Sequence, residues 1–256
     1  MNLPCLVKQL FNDIRTIIFA GRHWVKAGIA VVIVATAATR ASAGWVTATF
    51  SDVNPGQVVT IHSASMGLNE TGWAGVYNFK NASGDLTGDL RTFCIDIAQG
   101  IYTNTTATFE LKNLSSAPTP GTAMGQDKAN LISELWGRDF ASITTNSQAA
   151  AFQIAIWEII NEKSGNALNV KNGDFTVTGV GGATLNLANT WLSELNGSGP
   201  FAPNLIAMTS STYQDYVVQG TPAPASLALA VAGVIGMLPV LAWRRRKLNQ
   251  AVASSC

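Results

Sequence analysis

One glutamine in this sequence stands where a polar side chain is costly. Gln153 lies inside the run 149–160, in which Glu158 is the only other polar residue. Such a run predicts a helix that is apolar around nearly its whole circumference and therefore lies inside a domain. Leaving the amide donors and the carbonyl of a glutamine unpaired there costs roughly 1–3 kcal/mol. Gln153 therefore needs a partner, and we expect that partner to be Cys94.

Cys94 is the one thiol in the long middle part of the chain. Of the three cysteines, Cys5 lies close to the N-terminus and Cys256 is the last residue. A single cysteine cannot form a disulfide within its own domain. Cys94 is then either an inert buried thiol, since a free cysteine behaves as a small hydrophobic residue, or a thiol used for other chemistry.

The two side chains can react with one another. Attack of the Cys94 sulfur on the Gln153 carboxamide expels ammonia, which removes the buried donors and leaves a largely apolar thioester. Holding the two groups in contact supplies an effective molarity on the order of 10⁵ M or more, so a slow reaction between poor partners becomes feasible. The thioester is an activated acyl group. An amine or hydroxyl can take the acyl chain, leaving an amide or ester at Gln153 and a free thiol at Cys94.

Aromatic neighbours of this pair are candidates for a pocket. Trp157 lies one turn beyond Gln153 on the same helix and can form part of a dry rim that slows hydrolysis, or it can be ordinary core filling. Phe93 and Phe152 directly precede the two reacting residues and are further pocket candidates. Gln148 and Gln99 are alternative glutamines, but both stand at the edges of apolar runs, where water can satisfy them.

The motifs around these residues resemble the thioester domains of bacterial surface proteins. Those domains carry an aromatic-Cys-(Ile/Val)-Asp strand and a Thr-Gln-x-Ala-Ile-Trp helix. This chain has Phe93-Cys94-Ile95-Asp96 and, 59 residues after the cysteine, Gln153-Ile-Ala-Ile-Trp157. The resemblance implies a sulfur donor at Cys94 and an acyl donor at Gln153. Phe152 replaces the threonine of the family.

Other chemistries find little support in the sequence. A cysteine hydrolase would need a base, and the only histidine between residues 44 and 221 is His62, inside a strand-like run without a recognisable motif. One cysteine and one histidine are too few for a zinc site, and no calcium-loop spacing or phosphate-binding loop occurs. We therefore expect no metal, no cofactor and no enzymatic turnover.

The pattern of the middle part predicts an α+β fold, an antiparallel β-rich domain with a helical insert. Strand-like runs are rich in β-branched and aromatic residues and cover 44–50, 57–62, 73–80, 90–97, 107–114, 174–178 and 213–218. Apolar residues at helical spacing predict helices over 127–136, 149–160 and 186–195. Asn54-Pro55-Gly56 predicts a hairpin between the first two runs.

The N-terminal 43 residues are predicted to be a signal peptide. A basic leader precedes an apolar core at 27–38, and Ala41-Ser42-Ala43 forms an A-x-A cleavage site before Gly44. An uncleaved N-terminal anchor is the alternative. In either case the chain from Gly44 onward is expected to be exported.

The C-terminal part is predicted to hold the chain in a membrane. The uncharged apolar run 225–243 is long enough for a transmembrane helix, and the basic cluster after it is expected to stay in the cytoplasm. A short Pro-x-Pro motif, an apolar helix and an arginine cluster resemble the PEP-CTERM sorting signal of Gram-negative bacteria, which an exosortase processes. Ala223 replaces the glutamate of that signal and nine residues follow Lys247, so a plain anchor is the alternative. The matching residues are Pro222, Pro224, Arg244, Arg245 and Arg246.

The ectodomain 44–220 is acidic. It carries seven Lys and Arg residues against fourteen Asp and Glu residues, a formal charge of about −7, which argues against nucleic acid as a partner. The sequence thus predicts a cell-surface protein whose internal thioester captures a nucleophile on a surface protein or polysaccharide, for adhesion or matrix attachment. The alternative is a structural matrix or biofilm module without covalent chemistry.

Overall fold

The computed structural model describes residues 44–220, which form a mixed α/β fold with a large antiparallel sheet. Seven strands are described in this part of the chain: β1 (Gly44–Ser63), β2 (Leu68–Gly84), β3 (Gly88–Cys94), β4 (Thr106–Asn113), β5 (Phe175–Thr178), β6 (Leu205–Thr209) and β7 (Tyr216–Gln219). The described helices are α1 (Gly125–Asp139), α2 (Asn146–Asn161) and α3 (Gly182–Glu194). The α+β prediction is confirmed at this level.

The predicted hairpin at Asn54-Pro55-Gly56 is wrong. The chain continues through these residues as the single 20-residue strand β1, which pairs along its length with β2. The register shifts between Val53 and Gly56, so the turn-like residues form an irregularity within the strand and not a reversal. The hairpin is formed ten residues later, because residues 64–67 connect Ser63 to Leu68.

The sheet closes on itself around a core. Neighbouring strands follow the order β2-β3-β7-β6-β4-β1, and β1 pairs again with β2, so six strands form a closed antiparallel ring. The length of β1 makes this possible: its first six residues pair with β4, its last four residues pair with β5, and β2 covers its other edge. Closure removes the free edge along most of the ring, but the first half of β2, before Tyr77, pairs with β1 alone.

Helix α2 is buried because other elements surround it. It contacts β1, β2 and β3 as well as α1 and α3. Every residue from 149 to 159 is buried, as expected of a helix that is apolar on all sides. Its start is set by a capping box in which Thr145 and Gln148 satisfy each other's backbone N–H groups. The predicted helix 149–160 is thus confirmed and extended at its N-terminus.

Several predicted elements have shifted bounds in the structure, and one strand was not predicted. Strand β6 was not predicted, since Leu205–Thr209 follows a loop and is only five residues long. Helix α3 begins at Gly182 and not at residue 186, because Gly181 serves as its N-cap without a polar side chain to mark the start.

The two targeting predictions lie outside the described residues. These are the signal peptide 1–43 and the sorting signal with its transmembrane helix 225–243, including Pro222, Pro224, Arg244, Arg245 and Arg246. Within 44–220, none of the helices has both the length and the apolar character needed to cross a bilayer.

Candidate functional site

The fold brings Cys94 and Gln153 into direct contact. Cys94 is the last residue of β3, Gln153 lies in the middle of α2, and neither side chain is exposed to solvent. The backbone N–H of Cys94 donates to Oε1 of Gln153 at 2.8 Å, and Nε2 of Gln153 donates to the Cys94 carbonyl oxygen at 2.8 Å. The carboxamide is therefore held at two points against the backbone of the cysteine.

The end of a strand pairing makes room for this contact. The ladder between β3 and β2 ends at the pair of Thr92 with Tyr77. Two residues further on, the N–H and C=O of Cys94 bond to Gln153 and not to a strand. A buried backbone group needs such a partner, so the glutamine side chain completes the hydrogen bonding on the edge of β3 where the ladder with β2 ends, while the other edge stays paired with β7.

The thiol of Cys94 has three close polar contacts. Its Sγ donates to the carbonyl oxygen of Asp96 at 3.0 Å and accepts from the Asp96 N–H at 3.4 Å. The indole Nε1 of Trp157, one helical turn after Gln153, donates to the same sulfur at 3.3 Å. Trp157 is 1% exposed, so the sulfur lies between a strand end and a buried indole.

Burial raises the pKa of the Cys94 thiol well above its usual range. The hydrogen bonds from Trp157 and from the Asp96 backbone oppose that rise, while the Asp96 and Asp215 carboxylates add to it. The thiol is therefore protonated at neutral pH. A protonated thiol is a weak nucleophile, so any reaction here depends on proximity and on donors that stabilise developing charge on sulfur.

Asp96 places a carboxyl group close behind the thiol. One of its oxygens, Oδ1, accepts from the Ala98 N–H at 2.8 Å, whereas its buried Oδ2 has no partner among the described residues. Burial raises the pKa of this carboxyl. Gln214 donates from Nε2 to the Asp96 carbonyl oxygen at 3.1 Å and so fixes the backbone that holds the thiol.

A cleft of about 670 Å³ adjoins the site. Residues of β1, of β2 (including Tyr77) and of the segment 97–103 line it, together with Gln214 and Trp157. Cys94 and Gln153 are not among the lining residues, so Trp157 stands between the cleft and the sulfur. The only charged lining residues are the carboxylates Asp52 and Glu70. The cleft therefore has a negative potential.

The remaining aromatic candidates lie elsewhere. Phe93 and Phe152 are fully buried, with ring centroids 4.7 Å apart, and both pack against Trp136. Neither lines the cleft. These two rings belong to the interface between α1, α2 and β3, where the Phe152 ring fills core space.

The alternative residues have other contacts. Gln148 caps α2, and Gln99 lines the cleft and donates to the Ser211 carbonyl oxygen at 3.3 Å. His62 is hydrogen bonded to Thr178 at 3.1 Å and is not a partner of the thiol. Among residues 44–220, no group of three His, Cys, Asp or Glu residues is arranged to hold a metal ion.

Sequence reasoning missed two buried polar residues near the thiol: Gln214, which bonds the Asp96 backbone, and Asp215, whose carboxylate acts on the thiol through its charge. Asp215 is fully buried and accepts from the backbone N–H groups of Thr119 and Ser210 at 2.6 and 2.7 Å. Polar residues inside the strand-like run 213–218 were the available signal. The reasoning that singled out Gln153 applies to them equally.

No protein-family model matches this chain, and neither a curated protein nor a solved structure is significantly similar to it. Its function is therefore inferred from the chemistry of the site.

Proposed function

We propose that this protein carries an internal thioester between Cys94 and Gln153 and uses it once per molecule to capture an amine or hydroxyl nucleophile covalently. The observation that carries the proposal is the pair of 2.8 Å hydrogen bonds that hold the Gln153 carboxamide against the Cys94 backbone in a site closed to solvent. Covalent capture serves adhesion or attachment to an extracellular matrix.

The same contact favours formation of the bond. The Cys94 N–H donates to the oxygen on which negative charge develops when sulfur attacks the carbonyl carbon, so it acts as an oxyanion donor. In this step the bond between Sγ and Cδ forms and the bond between Cδ and Nε2 breaks. The thiol proton leaves with the nitrogen, as ammonia. Exclusion of water by the surrounding core protects the product.

The acidic cleft on the far side of Trp157 is the proposed route by which a nucleophile approaches the thioester. Attack on the thioester carbonyl forms an amide or ester at Gln153, breaks the bond to Sγ and returns a proton to the Cys94 thiol. Asp52 and Glu70 attract cationic amines, while the hydroxyls of a polysaccharide are a neutral alternative. Surface proteins and polysaccharides are thus the partner classes.

The proposed location follows from the two ends of the chain. Residues 1–43 direct export, and the run 225–243 with its basic tail anchors the protein or passes it to an exosortase-type processing enzyme. The protein then acts in the membrane or at the surface of a Gram-negative bacterium, as a thioester-domain-like surface protein.

A structural matrix or biofilm module is the second candidate, and one observation favours it. Both ends of the Gln153 carboxamide are already satisfied by the backbone of Cys94. A glutamine with this role ties α2 to the end of β3 without any covalent step. The two candidates differ in a single bond.

The test is the intact mass of the purified protein beside that of its Cys94→Ala variant, prepared without added amines. The thioester makes the wild type lighter by one ammonia, after allowing for the substitution. Methylamine treatment then adds one methylamine at Gln153 of the wild type alone.

Peptide mapping separates the outcomes. A wild type with the full mass, a free thiol and unmodified glutamine at position 153 contradicts the thioester and leaves the structural module. Glutamate at position 153 of the wild type, with glutamine retained in the Cys94→Ala variant, shows that a thioester formed and was hydrolysed during purification.

A further inference from the structure

Trp157 is the side-chain donor that reaches the reacting sulfur. Its indole Nε1 lies 3.3 Å from Sγ of Cys94, and the only other donor to that sulfur among the described residues is the Asp96 backbone N–H at 3.4 Å. The ring is 1% exposed and is held in the middle of the buried helix α2. Bulk solvent does not reach the sulfur, since Cys94 is itself fully buried.

Negative charge on sulfur arises in both directions of the proposed chemistry. The thiol loses its proton when it attacks Gln153, and the sulfur departs as a thiolate when a nucleophile opens the thioester. A thiolate in a site closed to bulk solvent depends on fixed donors, and a hydrogen bond to a charged group is stronger than one to a neutral group. The indole N–H thus stabilises the charged sulfur more than it stabilises the neutral thiol or thioester.

We propose that Trp157 is a catalytic residue whose indole N–H stabilises the Cys94 thiolate during both formation and opening of the thioester. This inference rests on the proposed function. It gives the tryptophan a role beyond packing. A donor that stabilises negative charge on sulfur in the transition state accelerates the reaction in both directions without changing its equilibrium constant.

Ammonia provides a direct test, because it reverses the bond-forming step. Ammonia attacks the thioester carbonyl, the bond to sulfur breaks, and Gln153 and the Cys94 thiol are regenerated. Titrating the purified full-length protein with ammonium at constant pH and following intact mass yields two quantities. These are the ammonia concentration at which half the molecules are open, and the rate of approach to that equilibrium.

Trp157→Phe removes the donor and keeps an aromatic ring. We expect the approach to equilibrium to slow about 10- to 100-fold, as for the loss of a hydrogen bond to a charged group, with the half-open ammonia concentration unchanged within about twofold. The rate of thioester formation and the rate of its opening by ammonia fall together, because the neutral thiol and the neutral thioester lose little stabilisation when the indole N–H is removed.

Trp136→Phe is the matched control. Trp136 is another buried indole of the same core, 3% exposed, and donates at 3.3 Å to Gln219 and not to the thiol. This variant creates a similar void, and we expect its rate to stay within about twofold of the wild type. A second Trp157 variant with 3-benzothienyl-alanine keeps both fused rings but has no N–H, and it slows the reaction equally if the donor is responsible.

Each outcome decides the inference. Unchanged kinetics in Trp157→Phe, a normal rate with the benzothienyl side chain, or equal slowing in Trp136→Phe overturns the role of the donor while the thioester itself stands. A shifted half-open concentration with an unchanged rate assigns Trp157 to packing. A wild type that never loses ammonia overturns the proposed function and this inference with it.

Discussion

At the residue scale, two glutamates near the end of α2 have opposite electrostatic environments. Glu158 is fully buried, accepts one hydrogen bond from the Asn169 N–H at 2.7 Å, and has no partner for Oε2 within residues 44–220. Burial raises the pKa of its carboxyl to about 7. For Glu162 burial acts in the same direction, but hydrogen bonds from neighbouring side-chain and backbone N–H groups outweigh it and hold the pKa below its usual value.

These environments predict opposite effects of removing the charge. In the folded protein the Glu158 carboxyl keeps its proton up to about pH 7, whereas in the unfolded chain it loses that proton at its ordinary, lower pKa. The contribution of Glu158 to stability is therefore present at low pH and is lost as pH rises toward and through 7. Glu158→Gln should therefore raise the melting temperature at about pH 8 and change it little near pH 4.

Glu162→Gln is the control for that experiment. The folded pKa of Glu162 is lowered, so its stabilising contribution is present at neutral pH and is lost as pH falls through the folded pKa. This variant should melt at a lower temperature near pH 7. Thermal melts monitored by circular dichroism across the pH range measure both. Equal shifts of the two variants in the same direction would contradict these assignments.

At the element scale, the irregularity in β1 depends on a close approach between two strands. Gly56 pairs with Gly75 of β2, directly after the register shift. A Cβ atom at Gly75 would lie 2.4 Å from the Pro55 carbonyl oxygen and 2.5 Å from the Gly56 Cα. Neither atom can move without shifting the backbone. The two strands can therefore approach this closely at the register shift because both facing positions lack a side chain.

Gly75→Ala should destabilise the domain by about 1–3 kcal/mol, the usual cost of forcing extra atoms into a packed site. Gly72→Ala in the same strand is the matched control, since a Cβ there meets nothing within 4 Å. Denaturant unfolding of the two variants compares them directly. If Gly72→Ala loses as much stability as Gly75→Ala, strand propensity and not the close approach is responsible.

At the scale of the whole molecule, the distribution of charge predicts which nucleophile the proposed thioester prefers. Residues 44–220 have a formal charge of about −7, and the cleft beside Trp157 carries two carboxylates and no cation. Charges that line a cleft concentrate counter-ions of the opposite sign. A thioester reached through this cleft should therefore react faster with a cationic nucleophile than with an anionic one.

Capture rates should follow the charge of the amine. With amines of matched length and basicity that carry a second, fixed charge away from the reacting nitrogen, we expect those with a cationic group to react fastest and those with an anionic group slowest, and added salt should compress the difference. Glu70→Gln should reduce that preference about two- to tenfold. Glu110→Gln, an exposed residue of β4 outside the cleft, is the control. The capture rates are measured by intact mass. Rates that do not depend on the charge of the amine would show that the nucleophile reaches the thioester by a route other than this cleft.

Elements whose patterns are local could be predicted from the sequence alone. The buried helix 149–160 follows from its apolar circumference, and the cost of an unpaired amide required a partner for Gln153. The strands around Cys94 follow from β-branched and aromatic runs. These signals are local because propensity and burial act within one element.

The way in which those elements pack together could be read from the three-dimensional structure alone. Asn54-Pro55-Gly56 continues as a strand and does not turn, because Gly75 of β2 faces it and leaves room for its backbone. Gly75 lies far outside the local pattern of the motif. Likewise the atoms that satisfy Gln153 are the backbone of Cys94, because the ladder between β3 and β2 ends two residues earlier. The indole donor on sulfur and the acidic cleft also arise from residues distant in sequence. Local preferences do not encode such contacts, since pairing partners across a closed sheet are chosen by the packing of the whole domain.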